Sequence, residues 1–305
     1  MRARRTLVAL RAWLARCLGA IAFRSPRLER WFVAAGASAA RHSRRLGGLY
    51  WFAHEDLVLR LRASGDIYRR LAVGPVSLWL DVTDHTAVLH YFFQQPYEPG
   101  LVRHLSERLR SGDVFIDVGA HIGLFSVLAA HLTGRSGRVV AFEPYPGSRE
   151  RLRRLADRNG LGQRIEIVAA ALSDHAAAAA PLYIADDSVL STLDPDHSPT
   201  RDRVGFGRSI PVEVTTLDGW LAARPDLHPR LAAIKIDVEG HEGPVIAGMH
   251  RTLEAGASID LICETSEASD ADRWLKSAGF SATVLDSYDA ARKYGNHLYQ
   301  RTATP

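Results

Sequence analysis

Short apolar runs alternate with amphipathic stretches from residue 113 onward, and this alternation predicts β-strands that alternate with α-helices. The runs are rich in Val, Ile and Phe, and Gly, Pro or Asp residues follow most of them. Seven strands are predicted, over residues 114–117, 138–142, 165–169, 234–237, 259–264, 282–285 and 297–300. Strands and helices in this order form a mostly parallel, doubly wound sheet, so we expect an α/β fold.

The stretches that flank these strands are less regular. Alanines fill residues 176–180, and residues 186–208 are rich in Asp, Ser, Pro and Gly. A loop of that length is either a lid over a bound molecule or a disordered insertion, and both interpretations stay open. Upstream, residues 76–81 and 88–92 predict a small β-hairpin, and residues 98–109 predict a helix.

Three segments follow from this organisation. Residues 1–48 are expected to form a basic, amphipathic helical extension, and residues 49–110 a lead-in of hairpin and helix. Residues 111–305 are expected to form the main α/β domain, which carries the candidate chemistry.

The helical extension differs in charge from the rest of the chain. Residues 1–45 carry eleven arginines and a single acid, Glu29, whereas the rest carries 27 basic and 33 acidic residues. Large apolar residues follow helical spacing and predict one apolar face, namely Leu7, Leu10, Leu14, Leu18 and Ile21. Arg11 and Arg16 interrupt the run, which argues against a transmembrane helix and against a secretory signal. The helix is expected either to pack on the body or a partner, or to lie flat on an anionic membrane surface.

Composition narrows the class of protein. A hydrophobic fraction of 47% and a charged fraction of 24% are typical of a globular protein with a core. The acidic body lacks the basic stripe that a nucleic-acid-binding protein needs. Cys17 and Cys263 are far apart, so neither a disulfide framework nor a cysteine zinc site is expected, and a reducing, cytoplasmic compartment fits. Arginine outnumbers lysine 35 to 3, which indicates GC-rich bacterial coding.

The most specific motif is Asp117-Val118-Gly119-Ala120-His121-Ile122-Gly123, which follows a predicted strand and opens a helix. Glycines at such a turn let the backbone bend sharply and approach a ligand. The spacing is neither the dinucleotide G-x-G-x-x-G nor a phosphate-binding loop, and the acid before the first glycine would repel a pyrophosphate. An acid there suits a cationic group such as the amino group of an amino acid. The alternative is a glycine turn with a capping Asp.

A second acid, Glu143, ends the next strand in Ala-Phe-Glu-Pro. A carboxylate at that point can accept both hydroxyls of a ribose. Together with the acid-glycine turn it describes a nucleoside that carries an amino acid, and S-adenosylmethionine fits that description. The alternative for Glu143 alone is a solvated charge at a strand end.

The third candidate is Ala170-Ala171-Leu172-Ser173-Asp174, where small residues leave room for an adenine and a polar group faces its amine. Ala171 and Ser173 are the residues expected to contact the ring. An ordinary Ser-Asp turn explains the same residues equally well.

The fourth candidate is a cluster of ionisable residues in Lys235-Ile236-Asp237-Val238-Glu239-Gly240-His241-Glu242. A buried strand tolerates Lys235 and Asp237 only if they are paired or used, and ionisable clusters at strand ends are candidate sites. His241 could take a proton near neutral pH. Glu264, at the tip of the following strand, could face the same crevice. The alternative is a capped helix start with an internal ion pair.

These motifs, in this order, resemble the FkbM family of S-adenosylmethionine-dependent methyltransferases. The resemblance covers roughly residues 95–300 and includes Tyr97-Glu98, Phe-Glu-Pro at 142–144 and Thr-Leu-Asp at 216–218. The family usually shows Asn where this chain has His121, and either side chain can donate a hydrogen bond.

The resemblance implies a class I methyltransferase fold, which is Rossmann-like, and O-methylation of a sugar, glycan or secondary-metabolite hydroxyl. It implies cofactor-turn roles for Asp117, Gly119 and Gly123, a ribose ligand in Glu143, and an acid near the methyl group in Asp237.

A hydroxyl acceptor must lose its proton as the new bond forms, so the reaction needs a base. His241 and Asp237 are the candidates for that base, and Glu239 and Glu264 are less favoured. No metal is expected; the alternative is a magnesium ion held by Asp237 and Glu264, although two acids are a thin ligand set for a hard cation.

Two other classes of function compete with this one. A nicotinamide oxidoreductase could use a similar sheet, but the third glycine of its fingerprint is missing. A non-catalytic, membrane-docked scaffold would suit the basic extension, but the acids and glycines of the site argue against a decayed pocket. The expected partner is a small-molecule or glycan acceptor rather than a nucleic acid.

Overall fold

The computed structural model describes residues 2–185, 191–196, 198, 205–255, 258–291 and 293–301, with side chains from residue 10 onward. The chain forms two compact units. One contains Met1–Val73 and Ser77–Tyr97, and the other contains Gly74–Val76 and Glu98–Pro305. This division differs from the predicted one in two places. The boundary predicted at residue 48 falls inside the helix Arg44–Ser64, and the helix Pro99–Arg108, predicted to belong to the lead-in, lies in the unit of the main sheet.

The first unit is helical with one small hairpin. Its helices are α1 (Arg2–Ala22), α2 (Pro26–His42), α3 (Arg44–Ser64) and α4 (His85–Phe93), and its strands are β1 (Tyr68–Val73) and β2 (Val76–Asp81). Ser25 and Ser43 cap α2 and α3 by accepting hydrogen bonds from backbone N–H groups. The Tyr50 hydroxyl donates to the Phe92 carbonyl across 2.6 Å, which ties α3 to α4 inside the core of this unit. None of the described helices combines the length and apolarity needed to cross a bilayer.

The predicted pairing of the upstream hairpin is wrong. Strand β2 forms, but its partner is β1, and residues 88–92 lie in helix α4. The Asp84 carboxylate accepts a hydrogen bond from Thr86 N, and this cap starts the helix. A short run of aromatic and β-branched residues fits a strand and a buried helix equally well, and burial of Phe92 favours the helix.

Helix α1 packs on α3 through its small residues. Ala15 and Ala22 are buried. Gly19 approaches α3 so closely that a Cβ atom there would lie 2.5 Å from Asp56 Oδ2 and 3.0 Å from the Ala53 carbonyl oxygen. Close approach of the two backbones therefore decides which face of α1 is buried.

The apolar face predicted for α1 is divided by this packing. Leu18 contacts the core of the unit, whereas Leu10, Leu14 and Ile21 are 50%, 38% and 46% exposed. The side chain of Leu7 lies outside the described residues. The helix does pack on the body, as one of the two interpretations expected, but most of its large apolar residues point to solvent.

The second unit is built on the seven-stranded sheet that the sequence predicts. Its strands are β3 (Val114–Val118), β4 (Arg138–Phe142), β5 (Ile165–Val168), β9 (Leu231–Ile236), β10 (Asp260–Ser266), β11 (Phe280–Asp289) and β12 (Tyr294–Arg301). They lie in the order β11-β12-β10-β9-β3-β4-β5. Strand β12 runs antiparallel to both neighbours, and the other described pairings are parallel. The fold is α/β and mostly parallel, and it has the Rossmann-like architecture of a class I methyltransferase.

Helices cover the two faces of this sheet. They are α5 (Pro99–Arg108), α6 (Leu124–Leu132), α7 (Pro146–Arg158), α8 (Leu217–Ala222), α9 (Glu242–Ala247), α10 (His250–Ala255) and α11 (Asp270–Ser277). Every residue of β3 and β9 is buried, which explains why both strands are apolar apart from one charged residue each, Asp117 and Lys235. The strand order reverses between β3 and β9, and ligands of such sheets bind at that switch point, beyond the carboxyl ends of the strands.

A second sheet has three strands, β6 (Ala170–Leu172), β7 (Ala177–Ala185) and β8 (Phe206–Thr215), in the order β6-β8-β7. The alanine run therefore lies largely in a strand rather than in a loop. Most of the predicted lid, including residues 186–190 and 199–204, falls outside the described residues. The described residues of this stretch are 191–196, 198 and 205–208, of which the last three belong to β8; Thr192 pairs with Tyr183 of β7.

Candidate functional site

A cavity of about 580 Å³ opens at the carboxyl ends of β3, β4 and β9. Its walls come from the turns that follow these strands, from β6, and from Ser191, Thr192 and Leu193. All of these residues belong to the second unit.

The turn after β3 forms one wall. Gly119 has φ +78°, and a Cβ atom there would lie 1.8 Å from the Asp237 carbonyl oxygen, so only glycine fits between the two turns. Gly123 has φ +89° and faces Leu152 in the same way. His121 also adopts a left-handed conformation, with φ +50°, and lines the cavity. Asn and His are among the residues that tolerate this conformation best, which gives a backbone reason for His where the family shows Asn.

Glu143 closes the opposite side of this turn. Its Oε2 accepts a hydrogen bond from His121 N, and its Oε1 accepts one from Tyr145 N, both at 2.8 Å. The side chain is buried on the cavity wall, and burial raises its pKa to about 7 despite the two N–H donors. Each carboxylate oxygen keeps a second lone pair, so the group can accept further hydrogen bonds from a ligand.

Asp117 lies elsewhere than its predicted role requires. Its carboxylate is buried beneath the turn and is absent from the cavity wall. Ser126 Oγ donates to Oδ2 at 2.6 Å, and Oδ1 has no hydrogen-bond partner among the described residues. Burial raises the pKa of Asp117, and Lys235 opposes that shift. A contact between Asp117 and a bound amino group therefore stays a prediction. In the structure the Asp117 carboxylate instead ties the end of β3 to Ser126 of α6.

Lys235 and Asp237 form an ion pair at the end of β9. Lys235 is buried, and its Nζ lies 2.9 Å from Asp237 Oδ2, which is the pairing that the sequence requires of a buried lysine. Burial alone lowers the pKa of Lys235, but the carboxylates of Asp237, Asp117 and Glu98 raise it on balance. Lys235 is therefore charged. Its partner Asp237 lies on the cavity wall.

Two further acids lie beside Asp237. Carboxylate oxygens of Asp237, Glu239 and Glu264 all lie within 4.8 Å of one another. Burial raises the pKa of Glu264 well above its usual range, and the neighbouring charges of Asp237 and Glu239 add to the shift. The Tyr294 hydroxyl donates to Glu264. Three carboxylates at this separation can share a proton or hold a cation. The group includes Asp237 and Glu264, the two residues that the sequence offered as an alternative magnesium site.

His241 also reaches the cavity, from the start of α9. Its Nε2 lies 2.9 Å from Ser173 Oγ, and Ser173 Oγ donates in turn to Asp174 Oδ1 across 3.1 Å. Because the Ser173 hydroxyl donates its proton to Asp174, it must accept a hydrogen bond from His241, so Nε2 of His241 carries the ring proton. Nδ1 of His241 therefore keeps its lone pair. That Nδ1 is buried and has no partner among the described residues. Burial lowers the pKa of His241, so the ring is neutral at physiological pH.

The adenine segment is only partly as predicted. Ala171 lines the cavity together with Ala170 and Leu172, whereas Ser173 is buried behind the wall and reaches it through His241. The loop after β9 is held by Glu242, whose Oε1 accepts hydrogen bonds from Val238 N and Gly240 N at 3.2 and 3.1 Å.

Sequence reasoning missed several residues at this edge of the sheet. Thr192 and Leu193 line the cavity from a stretch that was predicted only as a lid or an insertion. Tyr294 and Asn296 come from β12, where no motif marks them, and Asn296 Nδ2 donates to Glu98 Oε2 at 2.8 Å. The one available signal was the polar character of β12, in which Asn296 and His297 lie next to each other in a strand that closes the sheet.

The residues of the cavity fit a nucleoside with a cationic side chain. Glu143 offers a buried acceptor for ribose hydroxyls, the small side chains of β6 leave room for a flat ring, and Asp237 offers a carboxylate toward positive charge.

Comparison with known proteins gives a consistent picture. The family model described as the methyltransferase FkbM domain matches residues 117–282. The 31-O-demethyl-FK506 methyltransferase FkbM of Streptomyces tacrolimicus is 33% identical over 48% of this chain, and the match spans 63% of that protein, less than two thirds of its length.

Solved structures with a similar fold include methyltransferases from two further bacteria. Methyltransferase FkbM from Methylobacillus flagellatus KT is 14% identical with a TM-score of 0.39, over 72% of this chain and 53% of that chain. The O-methyltransferase from Bacillus cereus in complex with SAH is 13% identical with a TM-score of 0.40, over 79% of this chain and 87% of that chain.

Proposed function

Because this chain belongs to the FkbM family of methyltransferases, we propose that it binds S-adenosylmethionine in the cavity and transfers the methyl group to a hydroxyl of a small-molecule or glycan acceptor. The observation that carries the proposal is the placement of Glu143, a buried carboxylate on the cavity wall that two backbone N–H groups hold in position. The name of the Streptomyces relative describes methylation of a demethylated oxygen, which supports oxygen as the acceptor atom here.

In this proposal Glu143 accepts the ribose hydroxyls of the donor, and Gly119, His121 and Gly123 shape the turn against which the amino-acid part lies. Ala171 contacts the adenine. Ser173 lies behind the cavity wall, and its hydroxyl holds the ring of His241 in place by a hydrogen bond. The carboxylate of Asp117 lies beneath the turn and away from the cavity wall, so in this proposal it supports the turn rather than contacting the donor directly.

The bound donor supplies an electrophilic methyl group on a sulfonium. The chain must then hold the acceptor oxygen in line with the methyl–sulfur bond and exclude water, and such positioning accounts for much of the acceleration. Asp237 and Glu239 are suited to accept a hydrogen bond from the acceptor hydroxyl, because both lie on the cavity wall. Lys235 fixes Asp237 through the ion pair, so the orientation of that carboxylate is set before the acceptor arrives.

His241 is the base of this mechanism. Its ring is neutral at physiological pH because burial lowers the pKa, and Nδ1 has a free lone pair. A positioned base contributes about 10²–10⁴-fold to such a reaction. Glu264 is less suited to this role, since burial and its acidic neighbours favour the protonated form.

The competing classes are disfavoured by the same facts. A nicotinamide oxidoreductase would need a different turn after β3, and the family match is to a methyltransferase domain. A decayed, non-catalytic scaffold would not be expected to keep the buried Glu143 and the Lys235–Asp237 pair, because both cost stability when they have no use.

The proposal is tested by transfer of radiolabelled methyl groups from S-adenosylmethionine to host glycans and secondary-metabolite alcohols, with and without EDTA. We expect transfer that is insensitive to EDTA and falls in both Asp237→Asn and His241→Gln at saturating donor. A reaction that stops with EDTA and recovers with Mg²⁺ would instead assign Asp237, Glu239 and Glu264 to a metal. Near-native turnover in both variants would remove the two residues from the mechanism.

A further inference from the structure

The first helix presents a row of large apolar side chains to solvent. Leu10, Trp13, Leu14 and Ile21 are 50%, 55%, 38% and 46% exposed, and we call these four residues the α1 stripe. Positions three, four and seven residues apart lie on one side of a helix. The stripe therefore occupies one face of α1, and it lies opposite Gly19, the residue that packs against α3.

The body of this unit leaves the stripe free. Helix α1 is joined to α3 through Ala15, Gly19 and Ala22, so its small residues already supply the packing. Four large apolar side chains on one helix face, one of them a tryptophan, are more than the scattered exposed residues that a surface normally carries.

Positive charge surrounds the stripe. In helical projection Arg11 and Arg16 fall on its two sides, and both side chains are exposed. The linker and the start of α2 add Arg24, Arg27 and Arg30, which are exposed as well. Long arginine side chains beside an apolar face can keep the guanidinium at lipid headgroups while the stem lies along the acyl boundary.

Negative charge is almost missing from this part of the chain. Residues 1–45 contain one acid, Glu29, and eleven arginines. Glu29 is buried, and Arg69 Nη2 binds it at 2.6 Å while the Tyr91 hydroxyl donates to it at 2.6 Å. The one acid of the segment is therefore already neutralised and does not weaken the attraction for an anionic surface.

From these observations we infer that the α1 stripe docks the protein on the surface of an anionic lipid membrane. An apolar face bordered by arginines, with a tryptophan among its residues, is the arrangement of a helix that lies in the interface plane with its apolar side in the acyl boundary. The helix lies on the bilayer and does not cross it, in agreement with the arginines that interrupt its apolar residues. The inference concerns the first unit and does not depend on the proposed chemistry of the second.

The test uses the full chain and sedimentation with vesicles, one set of phosphatidylcholine alone and one with equal parts of phosphatidylcholine and phosphatidylglycerol. We expect binding to the anionic vesicles only, weakened by high salt because surface electrostatics are screened. The triple variant Leu10→Ser, Trp13→Ser, Ile21→Ser is expected to bind at least about tenfold more weakly, since three buried apolar side chains are lost from the acyl boundary. The variant Arg11→Gln, Arg16→Gln is expected to lose part of the preference for anionic vesicles.

The matched control is Val284→Ser, which removes an exposed apolar residue from β11 in the other unit. It is expected to sediment with vesicles like the unchanged protein. Circular dichroism melting and binding of S-adenosylhomocysteine should stay unchanged in all variants, which separates loss of docking from loss of folding or of donor binding. The inference is overturned if the protein does not bind anionic vesicles, or if the stripe variant binds them as well as the unchanged protein. It is also overturned if the unchanged protein is a dimer that does not bind vesicles and the stripe variant is a monomer.

Discussion

The backbone N–H of His121 donates to Glu143 Oε2 across 2.8 Å, and this bond joins the turn after β3 to the end of β4. The left-handed conformation of His121 turns its N–H toward the carboxylate. Glu143 is thereby positioned on the cavity wall before any ligand binds. A site that is positioned in advance loses less freedom when it takes up its ligand.

Binding of S-adenosylhomocysteine is expected to weaken as pH falls below 7. The pKa of Glu143 is about 7, because burial favours its protonated form, and the carboxylate is the better acceptor for ribose hydroxyls. Each pH unit below the pKa then costs up to about tenfold in affinity. Calorimetric titration between pH 5.5 and 8.5 measures the effect, and Glu143→Gln should remove it. An affinity that is constant over this range would contradict the assignment.

Replacement of Gly119 by Ala is expected to abolish donor binding and to lower stability. Its Cβ would lie 1.8 Å from the Asp237 carbonyl oxygen, a backbone atom that cannot move aside. Gly160→Ala is the matched control, because Gly160 has φ +69° and open space around it. Both variants lose about 1–2 kcal/mol from the left-handed conformation, and only Gly119→Ala has the clash. Equal losses of the free energy of unfolding in urea would exclude a close approach of the two turns.

Lys235→Met is expected to destabilise the protein by about 3–5 kcal/mol, since the change leaves buried carboxylates without their counter-charge. Lys293→Met is the control. Lys293 pairs with Glu267 on the surface, where an ion pair contributes little, so little or no change in the free energy of unfolding is expected. Urea unfolding measures both variants, and a Lys235→Met protein as stable as the control would show that the buried pair is not needed.

The pH profile of kcat/KM for the acceptor, measured at saturating donor so that donor affinity does not contribute, is expected to have an acid limb with a midpoint below 6.5. His241 must be neutral to take a proton, and burial holds its pKa below the ordinary value, so activity rises with pH and levels off before neutrality. In His241→Gln the limb should disappear, whereas exposed His131→Gln should keep it. A limb at higher pH that survives His241→Gln would assign the base to Glu264, whose pKa is raised.

The sequence predicts the sheet well, because its strands are buried on both faces. Runs such as Val114–Val118 and Arg138–Phe142 are apolar at all but one position, and a glycine or proline soon after each marks its end. The ends of these strands also carry Glu143 and Asp237, so the location of the cavity follows from the rule that ligands bind beyond the carboxyl ends of parallel strands.

What the sequence could not predict depends on contacts between distant residues. The buried face of α1 is decided by the close approach of Gly19 to α3, and apolar periodicity alone favours the opposite face. The pairing of Tyr294 with Glu264 depends on the antiparallel register of β12, which no local pattern encodes. The choice between strand and helix at residues 88–92 depends on burial of Phe92, which short-range propensity does not contain.

Calorimetric titration with S-adenosylhomocysteine at pH 8 tests the central claim most directly. We predict one site per chain, a loss of binding in Glu143→Ala, and unchanged binding in Glu150→Ala, which removes an exposed glutamate from α7. Absence of binding in the unchanged protein, or equal affinity in Glu143→Ala, would contradict the account.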